Sequence, residues 1–102
     1  MTLKLTHNQA YALMHLFDKV INPQLPDDVA ERLVKELMHK VYKKLRSILD
    51  ARIKPRGYSL ALTDLEAMAF YVYFQNRYLG PGWFYEQTVV DAQLAELDKE
   101  YA

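Results

Sequence analysis

The spacing of hydrophobic residues along the chain predicts four helices. Apolar side chains recur every three or four residues in four segments, which is the repeat of an amphipathic helix. Prolines and glycines separate the segments, because proline cannot continue the helical hydrogen-bond ladder and glycine favours the left-handed turn that ends a helix. The segments run from His7 to about Ile21, from Asp27 or Asp28 to about Ile53, from Asp64 to about Leu79, and from near Trp83 to Tyr101.

Each segment has an apolar face that we expect to be buried. In the long second segment this face comprises Val29, Leu33, Leu37, Val41, Leu45, Ile48 and Leu49. In the third it comprises Ala67, Phe70, Tyr71, Phe74 and Tyr78, and in the fourth Val90, Leu94, Leu97 and Tyr101. Helices joined by short loops favour an antiparallel bundle.

An internal echo precedes the first and third helices. Residues 3–13 match residues 60–70 at a constant offset of 57, with five of eleven positions identical. Both copies have alternating leucines, typical of a short extended segment, and then a threonine with Gln9 or Glu66 three residues later, the pattern of a capping box. We expect the extended segments to pair as a two-stranded ribbon lying against the helices. The echo reflects either a true repeat or the common pattern of capped amphipathic helices.

These patterns together predict a mainly α fold with one domain spanning residues 1–102. It is a four-helix antiparallel bundle-like domain that contains two β-α-α-like halves joined by the ribbon. Hydrophobic residues make up 51% of the chain and charged residues 25%, the balance of a globular protein. A folded chain of this length has a radius of gyration of about 13 Å.

Composition narrows the expected chemistry and location. The chain has no cysteine, which removes disulfides, thiolate nucleophiles and zinc–cysteine sites. The first residues lack the apolar stretch of a signal peptide, and no window approaches the roughly 18 apolar residues of a membrane span. We therefore expect a cytoplasmic protein that does not enter a membrane.

Few residues are suited to catalysis or cofactor binding. Glu36 and His39 have the Glu-x-x-His spacing of di-iron bundles, but those sites need a second such pair, and the sequence has none. Three glycines cannot form a phosphate-binding loop, and neither serine has a nucleophile motif around it. The sequence therefore predicts no enzyme, no cofactor and no metal.

The charges are segregated although the net charge is zero. Residues 35–56 contain eight cations and two acids, a net charge of +6, whereas residues 86–102 have a net charge of −4. The basic residues could follow a nucleic-acid backbone. Alternatively, the acidic last helix could pair with the basic helix, either within one chain or between two copies.

Aromatic residues are crowded between Phe70 and Tyr85, where they occupy eight of sixteen positions. One helix face cannot bury them all, and aromatic residues with a polar tip are enriched at protein interfaces. We therefore expect a small helical protein–protein interaction module that binds another protein or, by preference, a second copy as a homodimer. The predicted contact anchors are Tyr73, Trp83 and Tyr85, with Lys40, Lys43 and Lys44 as an electrostatic rim. The alternative is a nucleic-acid-associated protein that uses the basic helix 40–56.

Overall fold

The computed structural model describes residues 1–51, 56–75 and 77–101. In these ranges the chain forms four helices and one two-stranded antiparallel ribbon. The elements are β1 (Thr2–Leu5), α1 (His7–Leu16) with a π-helical continuation (Phe17–Ile21), α2 (Val29–Asp50), β2 (Tyr58–Ala61), α3 (Asp64–Phe74) and α4 (Phe84–Tyr101). The mainly helical fold and the ribbon that the sequence predicts are confirmed.

The ribbon joins equivalent residues of the two halves. Leu3 lies opposite Leu60 in the antiparallel register, and the same two leucines are equivalent in the sequence echo. Their side chains are buried, whereas Lys4 and Ser59 on the other face are exposed and hydrogen-bonded to each other at 2.9 Å. The halves therefore meet as two copies would around a local two-fold axis.

Both helices that follow the ribbon begin with the predicted capping box. Thr6 and Thr63 have almost the same backbone angles, with φ of −69° and −68° and ψ of 166° at both. Each threonine hydroxyl accepts the backbone amide of the residue three positions later, Gln9 or Glu66. In return, the Oε1 atom of that residue accepts the threonine amide at 2.8 Å. α1 and α3 therefore begin with the same local backbone geometry.

The helices pack mainly across the two halves. α1 packs on α4 and α2 packs on α3, so each half contacts the other through both of its helices. α2 and α3 are antiparallel, because Lys44 in the second half of α2 contacts Glu66 in the first turn of α3. Phe17, Phe70 and Phe74 are fully buried at the centre. The radius of gyration is 13.0 Å, as expected for the length.

α3 is shorter than the sequence predicts. It ends at Phe74 rather than near Leu79, because Gln75 takes a non-helical ψ of 125°. The residues from Phe70 to Phe74 are all aromatic or β-branched, types with weaker helix preference. The side chain of Arg77 then folds back and donates from Nε to the carbonyl of Tyr73 at 2.9 Å, which satisfies one of the open carbonyls. Tyr78 consequently lies outside the helix and is exposed rather than part of its apolar face.

The buried face of α2 also differs from the predicted stripe. The helix ends at Asp50, and the predicted end at Ile53 lies outside the described residues. Val29 and Leu33 are exposed, Val29 to 83%, although the stripe placed both in the core. Ala30 and Val34, each one position later along α2, face the last turn of α3 instead and line a groove together with Val72 and Tyr73. No helix therefore covers the start of the stripe.

Two glycines with the same backbone conformation should differ in their tolerance of alanine. Gly57 and Gly80 have φ of +94° and +93°, where a side chain costs about 1–2 kcal/mol of strain. A Cβ at Gly57 would lie 2.6 Å from the carbonyl oxygen of Leu5, whereas Gly80 has no neighbouring atom within 4 Å. We expect Gly57→Ala to lower the free energy of unfolding by about 2 kcal/mol and Gly80→Ala by about 1 kcal/mol. Urea unfolding measures both, and equal losses would contradict the close approach to Leu5.

Candidate interaction surface

Tyr73, the first predicted anchor, is half-buried and held within the chain. Its hydroxyl donates a hydrogen bond to the side-chain carbonyl of Gln24. The guanidinium carbon of Arg77 lies 4.2 Å from the centre of its ring. Burial raises the pKa of Tyr73, so its hydroxyl stays protonated and able to donate at neutral pH. The side chain of Tyr73 is therefore engaged in contacts within its own chain.

The other two predicted anchors flank the start of α4. Trp83 is half-buried, packs against the core and places its ring 5.3 Å from that of His15. Tyr85 is exposed, and so is its neighbour Phe84, at 86%. The sequence prediction omitted Phe84, although it is more exposed than either predicted anchor in this segment.

The three predicted rim lysines fall into two groups. Lys40 and Lys43 are exposed on the outer side of α2. Lys44 instead donates to Glu66 at 2.5 Å and to the carbonyl of Ala61 at 3.1 Å, and it joins α2 to the ribbon and to α3. In the described ranges, no hydrogen bond or ring contact joins these lysines to the three predicted aromatic anchors. The three lysines therefore do not contact the three aromatic residues directly within the described part of the chain.

The carboxylate of Glu66 is the main buried charge among the described residues. Burial by itself would raise the pKa of Glu66, but the hydrogen bonds from Lys44 and from the backbone of Thr63 outweigh it, and the pKa lies below its ordinary value. The ionised pair thus holds α2 against α3. Gln9 takes the equivalent position in the first half with a neutral amide.

A group of exposed apolar side chains lies where α2 and α3 run side by side. On α3 it is a row at spacings of three and four residues. Each member precedes by one position a residue that contacts α2 or is buried, namely Glu66, Ala69 and Tyr73. On α2 each exposed apolar residue likewise lies one position before a residue that faces α3. In an antiparallel pair of helices, two rows that each precede the contacting residues by one position lie on the same side of the pair. Together with one residue of the preceding loop, these six side chains form what we call the α2–α3 face: Leu25, Val29, Leu33, Leu65, Met68 and Val72.

A groove of about 240 Å³ opens at one end of this face. Leu25 and Val72 belong to both the face and the groove, whose walls continue with Ala30 and Val34. Its polar neighbours are largely paired within the chain. The ammonium of Lys35 donates to the carbonyls of Ile21, Asn22 and Gln24, and Glu31 accepts the backbone amide of Asp27.

The sequence pattern did not identify the row on α3, because the apolar face of this helix was assigned around Phe70 and Phe74. A usable signal was nevertheless present in the echo. Leu65, Met68 and Val72 correspond at the offset of 57 to polar or amphipathic residues of α1. Those counterparts are Asn8, Tyr11 and His15.

Neither a metal centre nor a membrane span is found within the described residues. No three histidine, aspartate or glutamate side chains converge there to hold a metal ion. None of the helices in those ranges combines the length and apolar character that crossing a bilayer requires. Comparison with protein-family models, with curated proteins and with solved structures finds no match for this chain.

Proposed function

We propose that this chain is a small helical protein-interaction module that self-associates through the α2–α3 face. The role is one of binding rather than catalysis. The observation that carries the proposal is the difference between two equivalent exposed rows, which we call the outer rows of α3 and α1. The first comprises Leu65, Met68 and Val72, and the second comprises Asn8, Tyr11 and His15. Both rows are exposed, and both helices leave the ribbon through the same capping box, yet one row is aliphatic and the other is not.

Comparing the exposed residues of α1 and α3 indicates whether the fold itself requires apolar side chains at these positions or whether a partner would. The fold accepts Asn8 and His15 at exposed positions of α1, so it has no need of an apolar side chain at the equivalent Leu65 and Val72 of α3. Contiguous exposed apolar surface on a monomer marks contact sites. Covering such a row is favourable by about 1–2 kcal/mol for each aliphatic side chain.

The size of the surface is compatible with a second copy as the partner. A whole aliphatic side chain has about 60–120 Å² of apolar area. Scaled by their exposed fractions, the six aliphatic side chains of the face expose roughly 300 Å² in total. A standard interface covers about 800 Å² on each partner, of which somewhat more than half is apolar. The α2–α3 face alone falls short of this, and Phe84 and Tyr78 at the same end of the bundle raise the total to roughly the required area.

Charge supports the same partner. Lys40 and Lys43 flank the face, and α4 carries most of the acidic residues of the second half. The ion pairs of the described residues join Arg32 to Glu36, Lys44 to Glu66, Arg46 to Asp50, and Lys99 to Glu96. None of them links α2 to α4, which leaves the acidic helix of a second copy as a partner for Lys40 and Lys43. Of the residues predicted as contacts, Tyr85, Lys40 and Lys43 are exposed, which supports a direct role for them in the proposed interface.

Nucleic-acid binding through the basic helix is the alternative, and the described contacts support it less. Lys35, Lys44 and Arg46 each have partners within the chain. Arg52 and Lys54, two further members of the basic run, lie outside the described residues. Binding that weakens steeply with salt would favour this alternative, since each neutralised phosphate releases counterions.

Exchanging the outer row of α3 for that of α1 tests the proposal. The variant carries Leu65→Asn, Met68→Tyr and Val72→His, each the residue that the first half has at the equivalent position. We expect wild-type chains to form dimers of twice 12.0 kDa. The variant should dimerise at least tenfold more weakly, because a tenfold change corresponds to only about 1.4 kcal/mol. Sedimentation equilibrium over a concentration series measures both.

The matched control carries Asn8→Ser and Tyr11→Ser on the exposed row of α1. It should dimerise like the wild type, and all three proteins should retain the same helical signal by circular dichroism. A wild-type chain that is monomeric at every concentration would contradict self-association. A triple variant that dimerises as tightly as the wild type would contradict the choice of surface.

A further inference from the structure

The groove beside the α2–α3 face has aliphatic walls and a charged edge. Its lining includes the aliphatic side chains of Leu25, Ala30, Val34 and Val72 and the charged residues Glu31, Lys35 and Arg77. The Nε atom of Arg77 donates a hydrogen bond to the Tyr73 carbonyl, and the guanidinium lies on the Tyr73 ring. Because Lys35, Glu31 and Arg77 are bonded within the chain, the interior of the groove is suited to an apolar group.

The volume of the groove fits an aromatic ring. An engineered protein cavity of about 150 Å³ is large enough to bind benzene. The groove, at about 240 Å³, has room for a phenyl ring with the atoms that attach it to a backbone. Small groups alone would leave much of it filled with water.

Phe84 is the most exposed large apolar side chain of the described residues, at 86%. It is the first residue of α4 and lies at the same end of the bundle as the groove. The amide of Leu79, which follows α3, donates to Gln87 in the first turn of α4 at 3.0 Å, so the end of α3 and the start of α4 are joined. Phe84 and the groove therefore flank the same end of the molecule from different sides.

We propose that Phe84 of a second copy fills this groove, and that Phe84 of the first copy fills the groove of the second. The inference rests on the proposed self-association and identifies the Phe84 side chain as the residue that anchors the two copies to each other. Because the ring and the groove lie at the same end of the bundle, a two-fold axis near that end makes both insertions at once. The anchor thus adds the aromatic area that the aliphatic face lacks.

Two variants of the full-length chain test the reciprocal insertion. Phe84→Ala removes the ring, and Ala30→Trp fills the groove from its own wall. We expect each variant alone to dimerise at least tenfold more weakly than the wild type in sedimentation equilibrium. An equimolar mixture should dimerise more tightly than either variant alone, because the groove of the Phe84→Ala chain can still receive Phe84 of the Ala30→Trp chain. Tyr11→Ala, which removes an exposed aromatic residue elsewhere, should leave dimerisation unchanged.

A photo-crosslink identifies the contact directly and does not depend on affinity. Benzoylphenylalanine at position 84 should crosslink to the partner's peptide around Val72 or Leu25, as shown by mixing ¹⁵N-labelled and unlabelled chains. Crosslinks confined to other segments, or a Phe84→Ala chain that dimerises like the wild type, would overturn the inference. In either case the row exchange on α3 still tests self-association separately: if that exchange weakens dimerisation, only the anchor is wrong.

Discussion

Replacing Phe70 by alanine is expected to lower the free energy of unfolding by about 3–5 kcal/mol, a large part of the 5–15 kcal/mol that stabilises a typical domain. The ring is fully buried and lies 4.8 Å from that of Phe74, centre to centre. Removing it leaves a cavity that the surrounding helices cannot close. Chemical unfolding followed by far-ultraviolet circular dichroism measures the loss.

Leu13 provides the matched comparison, because it has the equivalent buried position in α1. Leu13→Ala should cost about 2–5 kcal/mol. If the chain is one domain, as predicted, each variant should unfold in a single transition with an unchanged dependence on denaturant. Two transitions, with Phe70→Ala shifting only one, would show instead that the halves fold independently. The packing of α1 on α4 and of α2 on α3 argues for a single transition.

The parts of the fold that the sequence predicts correctly are those set by local signals. Thr6 and Thr63 begin their helices through hydrogen bonds that span three residues, so a window of that size contains the information. The alternation of Leu3 and Leu5, repeated near Leu60, likewise predicts strands with one buried face. Even the pairing of the strands follows from their apolar faces, since each needs a partner and the helices to cover it.

The errors arise where features other than the spacing of apolar residues decide the outcome. Val29 and Leu33 continue the stripe of α2 without interruption, and the helical period does not indicate that Ala30 and Val34 face α3 in their place. The end of α3 coincides with the non-helical backbone of Gln75 and with Arg77 bonding back to the carbonyl of Tyr73, four residues earlier. Neither error can be corrected from periodicity alone.

The candidate site shows the same division. Tyr85, Lys40 and Lys43, which the sequence predicts as partner contacts, are exposed. The sequence cannot show that Tyr73 turns toward Gln24 or that Lys44 pairs with Glu66, because these contacts join residues 49 and 22 positions apart. The exposed aliphatic row on α3 is recognised only when the two halves are aligned on their common ribbon and caps. Differences between otherwise equivalent halves are therefore the most informative guide to function in this chain.

Breaking the pair formed by Lys44 and Glu66 should also have a large effect on stability, and one that depends on pH. Lys44→Met leaves the carboxylate of Glu66 buried without its cation. We expect a loss of about 2–3 kcal/mol at pH 7, less than the 3–5 kcal/mol of a fully buried pair because the Lys44 side chain is 40% exposed. Thermal unfolding between pH 3.5 and pH 7 measures the difference between the variant and the wild type.

The direction of the pH dependence follows from the pKa of Glu66. In the wild type this pKa lies below its ordinary value of 4.5, so the pair stabilises the fold above pH 4.5 and its contribution is lost as the pH falls through the folded-state value. In Lys44→Met the hydrogen bond and charge of Lys44 no longer lower the pKa of Glu66, so this pKa should lie above its wild-type value and protonation should remove the unpaired buried charge at a higher pH. The deficit should therefore be largest at neutral pH and shrink in acid.

The double variant Lys44→Met with Glu66→Gln separates charge from packing. It gives α3 the neutral capping residue that α1 already has in Gln9, and the amide oxygen can still accept the Thr63 amide. We expect this variant to recover most of the stability lost at pH 7, because replacing a buried ion pair by neutral groups is often close to neutral in free energy. A deficit of Lys44→Met that stays constant with pH, or that persists in full in the double variant, would show that Lys44 acts through its contact with Ala61 and not through the buried charge.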